Sequence, residues 1–186
     1  MRTAATLLLV SGAVLAQATI VNRLPFEWGA GPDLVIAAVV AVALTSTPAA
    51  AAGCGFAAGL AMDVLPPAEH AMGRYALVLC VAAYLVALLH RNTGSAGPLG
   101  GRPSVWAVMG VTAVASAGVG LGYALVGVLM DDPRVTLAAV VVNTLVGTVL
   151  TALASPLVAL PTLWARGALS EGDFATVRGP VTPRGW

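Results

Sequence analysis

The chain has 186 residues, 59% of them hydrophobic and 9% charged, with a net charge of +1 and a mean hydropathy of +0.92. A soluble domain of this size needs far less apolar content, whereas a helical bundle facing lipid needs this much. Near-neutral charge, with no basic patch and no stacking platform, excludes nucleic acid as a partner.

Met1-Arg2-Thr3 precedes an apolar run over 4–21. Its single basic residue and Ala16-Gln17-Ala18 imitate a signal peptide with an A-x-A site. The run is nevertheless long enough to span, which makes it an uncleaved first helix. A polar turn with Pro25, Glu27 and Trp28 follows, and the tryptophan suits a headgroup interface. The second segment, 34–45, is about 18 Å long as a helix, short of the roughly 30 Å of hydrocarbon. It either thins the bilayer or forms a re-entrant hairpin with the third segment, 48–65. Either way the chain returns to the side it left.

Gly55, Gly59 and Asp63 recur every fourth residue, so they form one stripe on that third helix. The glycines admit a close neighbour, and a carboxylate ends the stripe. Pro66 and Pro67 stop the helix, because proline lacks an N–H and clashes with the preceding turn. Glu69, His70, Gly73 and Arg74 make a short polar turn before the fourth segment, 75–89. Arg74, His90 and Arg91 can snorkel at its ends.

Residues 92–103 read as a flexible glycine- and proline-rich loop. The fifth segment, 104–130, is long enough to require tilt or interfacial ends. Gly118 and Gly122, with Ser116 and Gly120, offer a second small-residue packing face. Asp131-Asp132-Pro133-Arg134 is a tight acidic turn. In the sixth segment, 135–160, Asn143, Gly147, Thr151 and Ser155 recur every fourth residue and should face other helices. Pro156 and Pro161 kink or end it. The polar tail, 165–186, reads as disordered.

The expected fold is therefore all-α: a polytopic membrane protein with about six transmembrane helices in one bundle over 1–164. Six segments put both termini on one side. Arg2, Arg91, Arg102, Arg166, Arg178 and Arg184 share that side, against Arg23, Arg74 and Arg134 on the other. The positive-inside rule then makes both termini cytoplasmic in a multi-pass protein of the cell's inner (plasma) membrane.

The pattern G-x-x-x-G-L-x-x-D-x-L-P-P-A-x-H-x-x-G-R-x-A-L-V-L, from Gly55 to Leu79, resembles the signature of MreD. That family consists of integral membrane proteins of the bacterial rod-shape system. The resemblance is densest between Gly55 and Leu89. It implies a non-catalytic scaffold partnered by the bitopic protein MreC, and through it by MreB, RodA and a penicillin-binding transpeptidase. Peptidoglycan synthesis and cell shape would be what it organises. Gly59, Asp63, Gly73 and Arg74 match the family motif, and Asn143 and Pro156 match its last helix more loosely. The family also implies the fold of the S components of energy-coupling-factor transporters, an analogy of fold alone.

The residues themselves suggest little catalysis. Asp63 is a carboxylate near membrane depth, a functional position by default unless it sits at a watered helix end. Its simplest role is an ion pair with Arg74 that pins the hairpin. Proton transport through it is disfavoured, because no second buried acid lies on another helix. Asp33 reads as an interfacial acid opening the second segment. His70 beside Glu69 reads as a solvated turn rather than an acid–base or metal pair. Cys54 and Cys80 lie at about 18 Å and 9 Å from the turn, at 1.5 Å per residue, too mismatched for a disulfide. No nucleophile, zinc or phosphate-loop motif occurs, so neither an enzyme nor a cofactor is expected. The alternative function is a vitamin-type transporter subunit with a ligand cavity near Asn143.

Overall fold

In a computed structural model, residues 2–26, 31–65, 72–93, 104–133 and 135–175 are described, with the backbone alone for residue 2 and for 166–175. Among them the chain forms six α-helices and no strand: α1 (Arg2–Thr19), α2 (Leu34–Ala43), α3 (Pro48–Val64), α4 (Arg74–Asn92), α5 (Val105–Leu129) and α6 (Leu137–Ala175). Local chemistry sets several starts. Asp33, Thr47 and Ser104 each precede a helix and accept from the N–H three residues on, of Ile36, Ala50 and Ala107. Pro48 adds a preset φ at the first position of α3.

Among the described residues, four helices are long and apolar enough to cross a membrane: Thr3–Arg23, Arg74–Asn92, Val105–Leu129 and Leu137–Ala165. The expectation of six full spans is thereby narrowed. Helices α2 and α3, with 10 and 17 residues, fall short of the roughly 20 residues that a span requires. The two helices pack against each other. Every residue from Val35 to Ala43 is buried, so α2 is enclosed by its neighbours instead of lying at an interface. Its start is fixed by Asp33 N–H, which donates to Thr151 Oγ1 at 2.9 Å. Thr151 is the middle residue of the apolar stretch Leu137–Ala165. The chain therefore enters the bundle between α1 and α2, and α2 begins about halfway along α6. That entry is why α2 is short.

The tightest helix pair is α3 against α4. A methyl group on Gly55 would lie 2.6 Å from the Leu79 carbonyl oxygen, and one on Gly59 would lie 2.5 Å from Ala76 Cα. Both obstacles are backbone, so only glycine fits. The glycine stripe thus does what its spacing implied. We expect Gly59→Ala to cost about 1–3 kcal/mol by overpacking. Gly118→Ala, where an added methyl meets nothing within 4 Å, should be neutral or stabilising by up to about 1 kcal/mol through helix propensity. Thermal unfolding of both variants in detergent checks this, and equal losses at the two sites would contradict it.

The second small-residue face is not one face. Gly122 lies against Val78 Cγ1 of α4, at 3.0 Å from an added Cβ, and Gly120 against Thr144 Oγ1 of α6 at 2.9 Å. Ser116 is buried, while Gly118 looks outward. Four small residues within seven positions spread over most of a helix circumference, so they serve two neighbours.

Helix α6 does not end at its prolines. It runs through Pro156 and Pro161 to Ala175, so helix continues into the polar tail, and residues 176–186 lie outside the described residues. Pro156 leaves the Ala152 carbonyl without its usual N–H donor, and Ser155 Oγ donates to that oxygen at 2.8 Å. A side-chain hydroxyl thus replaces the missing backbone bond. Cys54 and Cys80 are partly buried and not joined to each other.

Candidate functional site

Asp63 ends the glycine stripe and is 3% exposed, so it is not a watered helix-end acid. Its Oδ2 accepts from the N–H groups of Gly73, at 2.9 Å, and Ala76, at 3.1 Å, and its Oδ1 from Tyr75 N–H at 3.3 Å. These donors belong to the first turn of α4, where an α-helix has no partners of its own. Gly73 occupies the N-cap position with φ +88°, a left-handed conformation that favours glycine, and has no side chain with which to cap. Asp63 supplies the cap from the preceding helix. The Gly73 of the motif is thus explained together with its Asp63.

The expected Asp63–Arg74 ion pair is corrected by this geometry. Arg74, 5% exposed, turns toward α5 instead. Its NH1 donates to Asp132 Oδ2 at 2.7 Å, and its Nε and NH2 donate to the Tyr123 carbonyl at 3.1 and 2.8 Å. The guanidinium carbon lies 3.7 Å from the Tyr123 ring centroid, a cation–π contact. Asp63 has its oxygens committed to backbone donors, so the charge that balances Arg74 comes from another turn.

That turn is built for the purpose. Asp131 adopts φ +54°. Asp132 N–H donates to Gly127 O at 3.0 Å, and Asp131 N–H to Val128 O at 3.1 Å. This paired closure of a helix C-terminus is the Schellman arrangement, and it folds Asp132 back over the end of α5. Gly127 makes room, since a methyl there would run into Arg74 NH2. Arg74 consequently ties α4 to both the body and the terminal turn of α5.

A second acid enters through Tyr75. Its hydroxyl donates to Asp33 Oδ2, while its backbone N–H goes to Asp63. The ring also meets Tyr123 edge-on, with centroids 6.5 Å apart and planes at 68°. Asp33 is the N-cap of α2 as anticipated, yet it lies level with Thr151 inside the bundle, not at an interface. The premise that no second interior acid exists is therefore overturned, and Tyr75 bonds both acids, Asp63 through its backbone N–H and Asp33 through its hydroxyl. Gln17 completes this floor: its Oε1 accepts from Leu34 N–H at 2.9 Å, and its Nε2 donates to Asn22 Oδ1 at 2.8 Å.

Above the floor lies a cavity of about 510 Å³. Asp33, Ile36, Tyr75, Val119 and Tyr123 line it, together with one wall from α6. From Val140 to Thr151 that wall is about 16 Å long at 1.5 Å per residue. Asn143 and Gly147 belong to it, so the α6 stripe divides: Thr151 and Ser155 are buried among helices, while Asn143 is exposed on the cavity side.

The residues singled out in the sequence thus fall into groups. Gly55, Gly59, Asp63, Gly73 and Arg74 form one assembly, Asn143 and Gly147 flank the cavity, and Gly122 joins α5 to α4. Gly118 and Pro156 stand apart. Glu69 and His70 lie outside the described residues, and His90 occupies the last turn of α4. Sequence reasoning missed Gln17, Tyr75, Tyr123, Gly127 and Asp132 as partners. Only Asp132 carried a signal, as half of an acidic pair at a helix-stopping turn.

The chain matches no protein-family model, and no curated protein or solved structure matches it.

Proposed function

We propose that the protein is a non-catalytic membrane scaffold of the bacterial cell-elongation machinery, of the MreD kind. Its partner is an MreC-like bitopic protein, with MreB, RodA and a penicillin-binding transpeptidase reached through it. The observation that supports this is the use of the motif residues. Gly55, Gly59, Asp63 and Gly73 are spent on bracing α3 against α4, and Arg74 on bracing α4 against α5. A motif spent on rigidity is what a docking platform needs, and it leaves outer helix faces for contacts within the bilayer. On the arginine count both termini are cytoplasmic and the Arg74–Asp132 end faces outward, the arrangement that a reporter fused after Trp186 reads.

The test is recovery of an MreC-like partner with the tagged protein from membranes. Gly118→Leu changes an outward face of α5 without an internal clash. It should reduce recovery while leaving expression and thermal stability intact. Recovery of the wild-type protein without any such partner would remove the proposal.

The cavity favours a second reading, a substrate-binding subunit of a small-molecule transporter. An energising ATPase module that co-purifies with the chain separates it from the first.

A further inference from the structure

The charged side chains that line the cavity among the described residues are Asp33, Arg74 and Asp132. Arg74 and Asp132 pair at 2.7 Å, so their charges cancel. Asp33 is left over. Among the described residues no arginine or histidine pairs with it. Its carboxylate is met by neutral donors alone, the Tyr75 hydroxyl and Ile36 N–H, at the N-terminus of α2. A helix end offsets only about half a unit charge. The position makes this costly: Asp33 is tied to Thr151, the middle residue of the apolar stretch of α6. An acid at that depth is nearly always matched by a cation or faces a water-filled cavity on a ligand path. The same fold supplies a buried counter-charge one residue along, between Arg74 and Asp132, and supplies none here. Asp33 is partly exposed and belongs to the cavity wall. A carboxylate has about four acceptor sites, so capacity remains after its bonds to Tyr75 and Ile36.

We propose that Asp33 anchors a binding site for a small organic cation, an ammonium group carried on an apolar body. The ammonium supplies the charge that the helices do not. Ile36, Met62, Leu65 and Val119 line the same space, an apolar surface that a bare or hydrated metal ion cannot use. The volume of about 510 Å³ lies within the roughly 300–1,000 Å³ of small-molecule sites. This deepens the ligand-binding reading of the cavity but does not require transport. Absence of an ATPase partner would sink only transport, whereas binding to the isolated full chain bears on Asp33 itself.

The probe pair is phenethylamine, a cation at neutral pH, and phenethyl alcohol, which puts a hydroxyl where the amine has its ammonium. Both are titrated calorimetrically into the full chain in lipid nanodiscs, with the heats of empty discs subtracted. The amine should bind saturably, and at least about tenfold more tightly than the alcohol. Asp33→Asn removes the charge but keeps a side chain that caps a helix as well as aspartate does, and it should erase that preference. The comparison of the two probes on the unaltered chain decides the matter even where the variant does not fold. Sodium chloride titrated alone should give no saturable heat. The proposal is overturned if the amine does not saturate, the result expected when Asp33 simply carries a proton. It is equally overturned if the alcohol binds as tightly, if folded Asp33→Asn protein keeps the preference, or if sodium occupies the site in the amine's place.

Discussion

Replacing Arg74 with methionine should destabilise the protein by about 2–4 kcal/mol, one of the two largest losses expected from a single side chain in this bundle. Breaking a buried ion pair by removing one member costs about 3–5 kcal/mol, because the partner is left uncompensated. Here the Arg74 side chain is 3% exposed and that of Asp132 25%, so water relieves part of the stranded charge and the lower end applies. The cation–π contact with Tyr123 adds about 0.5–2 kcal/mol. Methionine keeps the volume of the stem, which separates loss of charge from loss of packing. Arg74→Lys should recover only part of the deficit, since an ammonium cannot bond Asp132 and the Tyr123 carbonyl in one plane. Chemical unfolding in detergent reads all three proteins. A loss below about 0.5 kcal/mol for Arg74→Met would place this pair among ordinary surface ion pairs.

Asp63→Ala should cost a similar amount, about 2–4 kcal/mol, and should do so locally. An ordinary N-cap is worth about 1 kcal/mol. Asp63 does more, because one carboxylate accepts from three backbone donors, and leaving buried donors unpaired costs about 1–3 kcal/mol each. They share a single loss and do not add in full. Asp63→Asn keeps one oxygen where the structure uses two, so it should restore about half. The signature is faster hydrogen exchange at the amides of Gly73, Tyr75 and Ala76, with the rest of α4 protected. Uniform acceleration throughout the helix would show that Asp63 acts as packing and not as a cap.

How much of this was legible follows from what spacing encodes. The helices were readable, because apolar runs bounded by proline and glycine have little alternative in lipid. The glycine stripe was readable, because residues four apart share a face. The partners of Arg74 were not, since they lie 49 and 58 positions away and depend on a turn that spacing does not orient. Proximity in sequence suggested Asp63 instead, and the backbone of α4 took that carboxylate first. The level of α2 was equally hidden: ten apolar residues look alike at an interface and at the centre. Only the bonds of Asp33 and Leu34 to Thr151 and Gln17 set its depth. Outward Gly118 shows the opposite limit, where a packing motif has no partner among the described helices.

The decisive measurement is a pair of double-mutant cycles on unfolding free energy, one joining Arg74→Met with Asp132→Asn and the other joining Arg74→Met with Asp63→Asn. A separate cap and clamp predict coupling of about 1–3 kcal/mol in the first cycle and clearly less in the second. Additivity between Arg74 and Asp132, with strong coupling between Arg74 and Asp63, would restore the simple salt-bridged hairpin and contradict the arrangement described.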